Sequence, residues 1–259
     1  MKVKSLLIFA TFLVPLGSAL GSTKEGNRVN SAIEVLQQIS AIPEQAVPPA
    51  LLAKAYGVAV IPNVIKAGFG IGGRRGKGVL VVRDEHGDWS NPAFVALTGG
   101  SFGFQIGAEA TDLILVFKSR KGVEGITSGK LTLGADASVA AGPVGRSAAA
   151  ATDITFKSEV YSYSRSRGLF AGVALDGSAL TIDRNSNGNF YGVIGITAQQ
   201  IFAGHAPSVP GIAQRFTQEL AQRTPQLRAE EILGHSAQAA PAKPQPQPLK
   251  TYALEEPGQ

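Results

Sequence analysis

Two stretches, Lys66-Ala67-Gly68-Phe69-Gly70-Ile71-Gly72-Gly73 and Ser101-Phe102-Gly103-Phe104-Gln105-Ile106-Gly107-Ala108, alternate small residues, mostly glycine, with larger apolar side chains. A period of two is the signature of a β-strand, and here one face of each strand is nearly bare. Glycine weakens a strand interior, so its repetition implies that something approaches the backbone closely: another strand of a tightly coiled barrel, a packed helix, or a ligand. Barrel curvature is the reading adopted. Working outward, the same period holds from Gly57 to about Ile196, in short runs that include Gly57–Ile61, Gly78–Arg83, Phe94–Leu97, Leu113–Phe117, Leu131–Ala140, Val160–Arg165, Leu169–Leu175, Ala179–Ile182 and Phe190–Ile194. Turn signals separate several of them, among them Asp84-Glu85-His86-Gly87-Asp88, Asp176-Gly177 and Asn187-Gly188.

Closely spaced short strands predict an antiparallel barrel or sandwich. Helical patterns flank it. Asn30–Ile42 reads as a short amphipathic helix capped by Asn30 or Ser31, and Pro48–Ala55 as a second with proline in its first turn. Ser119–Lys130 reads as a helical interruption, and Pro210–Leu233 as a closing helix broken near Pro225. The expected fold is therefore α+β: a glycine-rich antiparallel β-barrel or sandwich with N-terminal helices and a C-terminal helix.

The ends read differently. Residues 1–21 have the layout of a secretory signal: Lys2 and Lys4, then apolar Leu6–Leu16, then the small residues Gly17, Ser18, Ala19 and Gly21. Residues 22–235 form the expected domain, and 236–259, rich in Pro, Ala and Gln, read as a disordered tail. The expected location is outside the cytoplasm, periplasmic or secreted, peripheral on a membrane. With no cysteine among 259 residues, thiol chemistry, disulfides, Cys-ligated zinc, iron–sulfur clusters and lipoprotein acylation are excluded. Three scattered histidines, His86, His205 and His235, offer no metal-ligand pattern, and no cofactor is expected.

Three motifs fail on context. Gly68-Phe69-Gly70-Ile71-Gly72-Gly73 satisfies G-x-G-x-x-G, but a dinucleotide site needs a helix directly after it, and here a further strand follows. Gly99-Gly100-Ser101-Phe102-Gly103 matches the nucleophile elbow of a serine hydrolase, which needs a strand-to-helix turn, whereas the downstream sequence alternates as a strand. A serine esterase using Ser101, with His205 and Asp112 or Asp176, is kept only as a third alternative. Asp183-Arg184-Asn185-Ser186-Asn187-Gly188 imitates the start of a calcium loop, yet its twelfth position is Ile194 in place of a carboxylate.

The charge pattern is more telling than the total. The formal +5 of the whole chain becomes +3, from 22 basic and 19 acidic residues, once Lys2 and Lys4 are set aside. Between Lys54 and Arg83 lie six basic residues and no acid, a local field that attracts anions. Arg74-Arg75-Gly76-Lys77-Gly78 reads as a cationic hairpin tip able to meet lipid phosphates, at about 1 kcal/mol per charge near an anionic surface. Arg165 and Arg167 fall on one strand face with Tyr161 and Tyr163, a combination suited to a wet interface. Leu51, Leu52 and Tyr56 are candidates for insertion into a membrane interface. Nucleic acid is not expected, since no recognition motif accompanies the modest net charge.

The chain also resembles a known family. Lys54-Ala55-Tyr56-Gly57-Val58-Ala59-Val60-Ile61-Pro62, Trp89-Ser90-Asn91-Pro92-Ala93-Phe94, Gln105-Ile106-Gly107, Thr111-Asp112-Leu113, Leu133-Gly134-Ala135-Asp136-Ala137, Gly142-Pro143-Val144-Gly145-Arg146 and Tyr161-Ser162-Tyr163-Ser164-Arg165-Ser166-Arg167-Gly168-Leu169-Phe170-Ala171-Gly172 are similar, in order and spacing, to the signature blocks of the SYLF domain family. The match runs from about Val29 to Phe202. The resemblance implies a non-enzymatic lipid-binding module, with phosphoinositide and, in fungi, actin binding among eukaryotic members and export among bacterial ones. The expected function is binding of anionic phospholipid at a membrane surface, through Lys66, Arg74, Arg75, Lys77, Arg165 and Arg167, residues chosen from the charge pattern alone. A structural or protein-interaction role in the cell envelope, with a protein partner there, is the alternative. Actin is not expected as a partner.

Overall fold

The computed structural model describes residues 23–38, 47–144, 157–166 and 169–224, and only the backbone at 69–71 and 101–108. The proposed signal at 1–21 and tail at 236–259 lie outside the described residues. The fold is α+β, a strongly curled, half-barrel sheet with helices at both ends. The elements are α1 (Lys24–Gln38), α2 (Pro49–Ala53), β1 (Gly57–Val82), β2 (Ala93–Phe117), α3 (Arg120–Ser128), β3 (Lys130–Thr132), β4 (Val139–Ala141), β5 (Val160–Ser166), β6 (Leu169–Gly172), β7 (Ser178–Ile182), α4 (Arg184–Tyr191), α5 (Ala198–Phe202) and α6 (Gly211–Arg223).

One long ribbon organises the sheet. β1 and β2 pair antiparallel from Gly57 opposite Phe117 to Leu80 opposite Ala93. β7 pairs with the first part of β2, β5 with its last part, β3 with β7 and β6 with β5, all antiparallel; only β4 runs parallel to its neighbour β5. The short strands expected at 57–61, 65–73 and 78–83 are thus parts of one strand, and those at 94–97, 101–108 and 113–117 parts of another. Arg74-Arg75-Gly76-Lys77-Gly78 is not a hairpin tip. Those residues pair within the ladder with Gly99 to Val95, and the turn between the two strands falls at 83–92, where Arg83 and Trp89 still bridge.

The ribbon curls because glycine lets its ends meet. A Cβ on Gly78 would collide with the Val60 carbonyl oxygen and stand 2.6 Å from the Ile61 Cα, and one on Gly76 would stand 2.6 Å from Val64 Cγ2. The two ends of β1 therefore lie backbone against backbone, which only a missing side chain permits. At Asn63, whose φ is 51°, an extra residue in β1 shifts the register between Ile61 and Val64. Such a bulge sharpens the local bend.

Both faces of the ribbon's ends are buried, which is why their sequences are continuous apolar runs. Val58, Val60, Val79, Val81, Phe94, Ile114 and Val116 join Val29, Ile33 and Leu36 of α1 and Phe216 and Leu220 of α6 in one core. Ala59, Ile61, Leu80, Val82, Val95, Leu113, Leu115 and Phe117 form a second with Val123 and Ile126 of α3. Leu51 and Leu52 belong to the first core and are closed to a membrane. So are Tyr161 and Tyr163: burial pushes the Tyr163 phenol well above its ordinary pKa, with Tyr161 adding to the shift, and its hydroxyl donates to the Pro143 carbonyl at 3.1 Å.

Two helix boundaries differ from expectation. α1 starts at Lys24, six residues before Asn30, because Thr23 Oγ1 accepts the Gly26 N–H at 3.0 Å and supplies the cap. Residues 190 and 191, expected in a strand, end helix α4, whose N-cap Asp183 accepts the Ser186 N–H at 3.2 Å and whose C-cap Gly192 takes φ 70°. The Asn187 side chain then accepts the Phe94 N–H at 2.7 Å, tying α4 to β2.

Candidate functional site

The middle of the β1–β2 ribbon emerges from the core. Ile65 is 55% exposed, and Lys66, Ala67, Arg75, Thr98, Glu109 and Ala110 are exposed as well. Alternation along β1 assigns these side chains to two faces. Odd positions carry Ile65, Ala67 and Arg75 outward. Even positions carry Val64, Lys66 and Arg74 inward, toward the side on which Gly76 and Gly78 meet the other end of the strand.

On the inner face Lys66 and Arg74 line one groove of about 140 Å³, together with Val64, Glu109, Leu113, Ser164, Val173 and Leu175. Lys66 stands opposite Glu109 in the ladder. The Arg74 Nη1 donates to the Ala174 carbonyl at 3.3 Å, while its Nε is buried without a partner. Desolvation lowers the Arg74 pKa. Four apolar side chains, two cations and one carboxylate, Glu109, line the groove.

The other expected cations are placed elsewhere. Lys77 Nζ donates to Asp183 Oδ2 at 2.6 Å, and Ser186 Oγ donates to the same carboxylate at 2.9 Å while accepting from Arg28 at 3.1 Å. Burial alone would raise the Asp183 pKa, but the hydrogen bonds from Lys77 and Ser186 and the Lys77 charge outweigh it and hold the carboxyl below its ordinary value. With both oxygens so engaged, the calcium-like motif is a helix cap. Arg165 Nη1 lies 3.4 Å from Asp112 Oδ2, both side chains largely buried, and Asp112 Oδ1 also accepts the Asn63 N–H at 3.0 Å. Arg167 lies outside the described residues. Of the six cations, then, Lys66 and Arg74 share a groove, Arg75 faces outward, and Lys77 and Arg165 are held in ion pairs.

Sequence reasoning missed the acids. Asp183 is 106 residues from Lys77 and Asp112 53 from Arg165, so a local count of charge had no means of pairing them. Ser101, opposite Gly72 inside β2, is in a ladder and not at the strand-to-helix turn an esterase elbow requires. Among the described residues no helix is long and apolar enough to cross a membrane.

Comparison with known proteins places this half-barrel among its relatives. The family described as "Ysc84: Las17-binding protein actin regulator" matches residues 98–223. Protein YSC84 of Saccharomyces cerevisiae is 42% identical over 170 residues, covering 64% of this chain and 36% of that protein. LAS seventeen-binding protein 3 of the same yeast is 40% identical over 176 residues, covering 67% and 38%. SH3 domain-containing YSC84-like protein 1 of Pongo abelii is 33% identical over 243 residues, covering 88% of this chain and 70% of that protein. The chain belongs to the Ysc84/SYLF family, and it spans little more than a third of the two yeast relatives. These names correct one expectation: relatives are Las17-binding proteins and the family is described as an actin regulator, so the exclusion of actin does not stand. The relatives are named for binding and regulation, not for a reaction.

Proposed function

We propose that this chain is a non-enzymatic binding module that docks on anionic phospholipid at a membrane surface through the middle of the β1–β2 ribbon. The observation that carries the reading is the exposed outer face at Ile65 and Ala67, with Arg75 on the same face and no carboxylate in ion-pair contact with it among the described residues. Apolar area flanked by cations suits an interface: the first is removed from water and the second is drawn to phosphate. Lys66 and Arg74 add to the attraction, while Lys77 and Arg165 are assigned to fold stability.

Vesicle sedimentation tests this. Binding should require anionic lipid, weaken as salt shortens the ~10 Å screening length of 0.1 M, and fall on Arg75→Glu. Equal retention by neutral vesicles in high salt contradicts it. A second reading, a protein partner in the actin pathway, is supported by the names of the relatives and is tested by co-sedimentation with actin filaments.

A further inference from the structure

We infer that the inner groove is a site for a single anionic group, a phosphate or a carboxylate, held side-on by the guanidinium of Arg74 with Lys66 as the second charge. The site is distinct from the outward-facing surface that docks on lipid, because its residues occupy the even positions of β1 and Ile65, Ala67 and Arg75 the odd ones.

Arg74 anchors the site. Its Nη1 is committed to the Ala174 carbonyl, which fixes the plane of the guanidinium and leaves free the edge formed by Nε and Nη2. Two parallel N–H donors on one edge match the two oxygens of a phosphate or carboxylate. The Nε at that edge is buried with no partner. A buried donor without a partner calls for one; Arg83 Nε and Arg165 Nε share that condition, but Arg74 also lines a groove beside a second cation, Lys66. Here no carboxylate among the described residues lies at ion-pair distance from Arg74 or Lys66, although Glu109 lines the same groove. The apolar side chains of Val64, Leu113, Val173 and Leu175 in the lining lower the local dielectric and strengthen any charge pair formed in the groove. About 140 Å³ admits one such group and not a whole lipid.

The group has two sources, a free anion or a lipid head group, and two probes separate them. Inorganic phosphate and monomeric dihexanoyl-phosphatidylglycerol are titrated into the full chain, following the amides of Ser164, Val173 and Leu175 and the Arg74 Nε–H by nuclear magnetic resonance. Saturable shifts with either probe support the site, and the effective probe identifies the source. Arg74→Gln should weaken binding about tenfold or more, the loss expected for a charge-assisted pair. Glu109→Gln should tighten it, because a competing carboxylate is removed, and Arg75→Gln should leave it unchanged while weakening attachment to vesicles. The inference is overturned if neither probe produces saturable shifts, or if Arg74→Gln titrates as the wild type does. No saturable groove binding in the wild type, with vesicle attachment intact, would sink this site and spare the docking surface.

Discussion

Lys77 and Asp183 meet at 2.6 Å, joining the last part of β1 to the N-cap of α4. The carboxylate serves both elements: it caps the helix through Ser186 and neutralises Lys77. Through Ser186 the same group reaches Arg28 of α1, whose guanidinium also lies 5.4 Å from the centre of the Phe94 ring. Three separately coded elements are fastened at one acid.

Because the Asp183 pKa is depressed in the folded state, its contribution to stability is present above the unfolded value near 4 and is lost as pH falls through the lower folded value. Thermal denaturation followed from pH 6 down to pH 3 should show this loss in the wild type and a shallower decline in Asp183→Asn. Asp183→Ala should cost about 1–3 kcal/mol at neutral pH, the sum of a lost cap and a lost ion-pair partner. An unchanged melting temperature for Asp183→Ala would remove the acid from this role.

Gly78 tests the cause of the curl. Gly78→Ala drives a methyl group into the backbone at Val60 and Ile61, and urea denaturation should register a loss of about 3 kcal/mol. Gly100, in the exposed stretch of β2, has nothing within 4 Å of an added Cβ, so Gly100→Ala should change stability by about 0.5 kcal/mol or less. Equal effects at the two positions would mean that strand propensity, and not close approach, explains the glycines.

How far the fold was legible follows from these residues. The expected glycine-rich coiled sheet agrees with the curled half-barrel, but the close approaches of strand to strand fall at Gly76 and Gly78, outside the two alternating stretches. The length of β1 was not legible. Arg74-Arg75-Gly76-Lys77-Gly78 has the composition of a turn, and the reason Gly76 and Gly78 are there, the other end of the same strand, is remote in sequence. Helix α4 was missed for a similar reason: Asn187 and Gly188 read as turn residues until Phe94 supplies the partner for the Asn187 side chain. For the site, Lys66, Arg74 and Arg75 could be found from charge, but their division between two faces needed the strand to be continuous. Lys77 and Arg165 looked equally free because Asp183 and Asp112 are brought to them only by folding.

Arg165 and Arg75 should therefore behave oppositely. Arg165→Gln breaks the pair with Asp112 and should lower stability by about 1–2 kcal/mol with little effect on attachment to vesicles. Arg75→Gln, on an exposed side chain, should weaken attachment and leave the urea midpoint within error. Paired denaturation and vesicle-sedimentation measurements on the two variants check this, and a larger vesicle defect in Arg165→Gln would reverse the assignment.

The absence of cysteine permits a direct reading of which surface meets the bilayer. Ala67→Cys on the ribbon and Gln214→Cys on the exposed side of α6 can each carry one environment-sensitive fluorophore. With phosphatidylglycerol vesicles, the label at position 67 should shift to the blue and become protected from an aqueous quencher, while the label at 214 stays in water. If the protein attaches and the label at 67 remains as quenchable as in solution, some other surface makes the contact and the docking account is wrong.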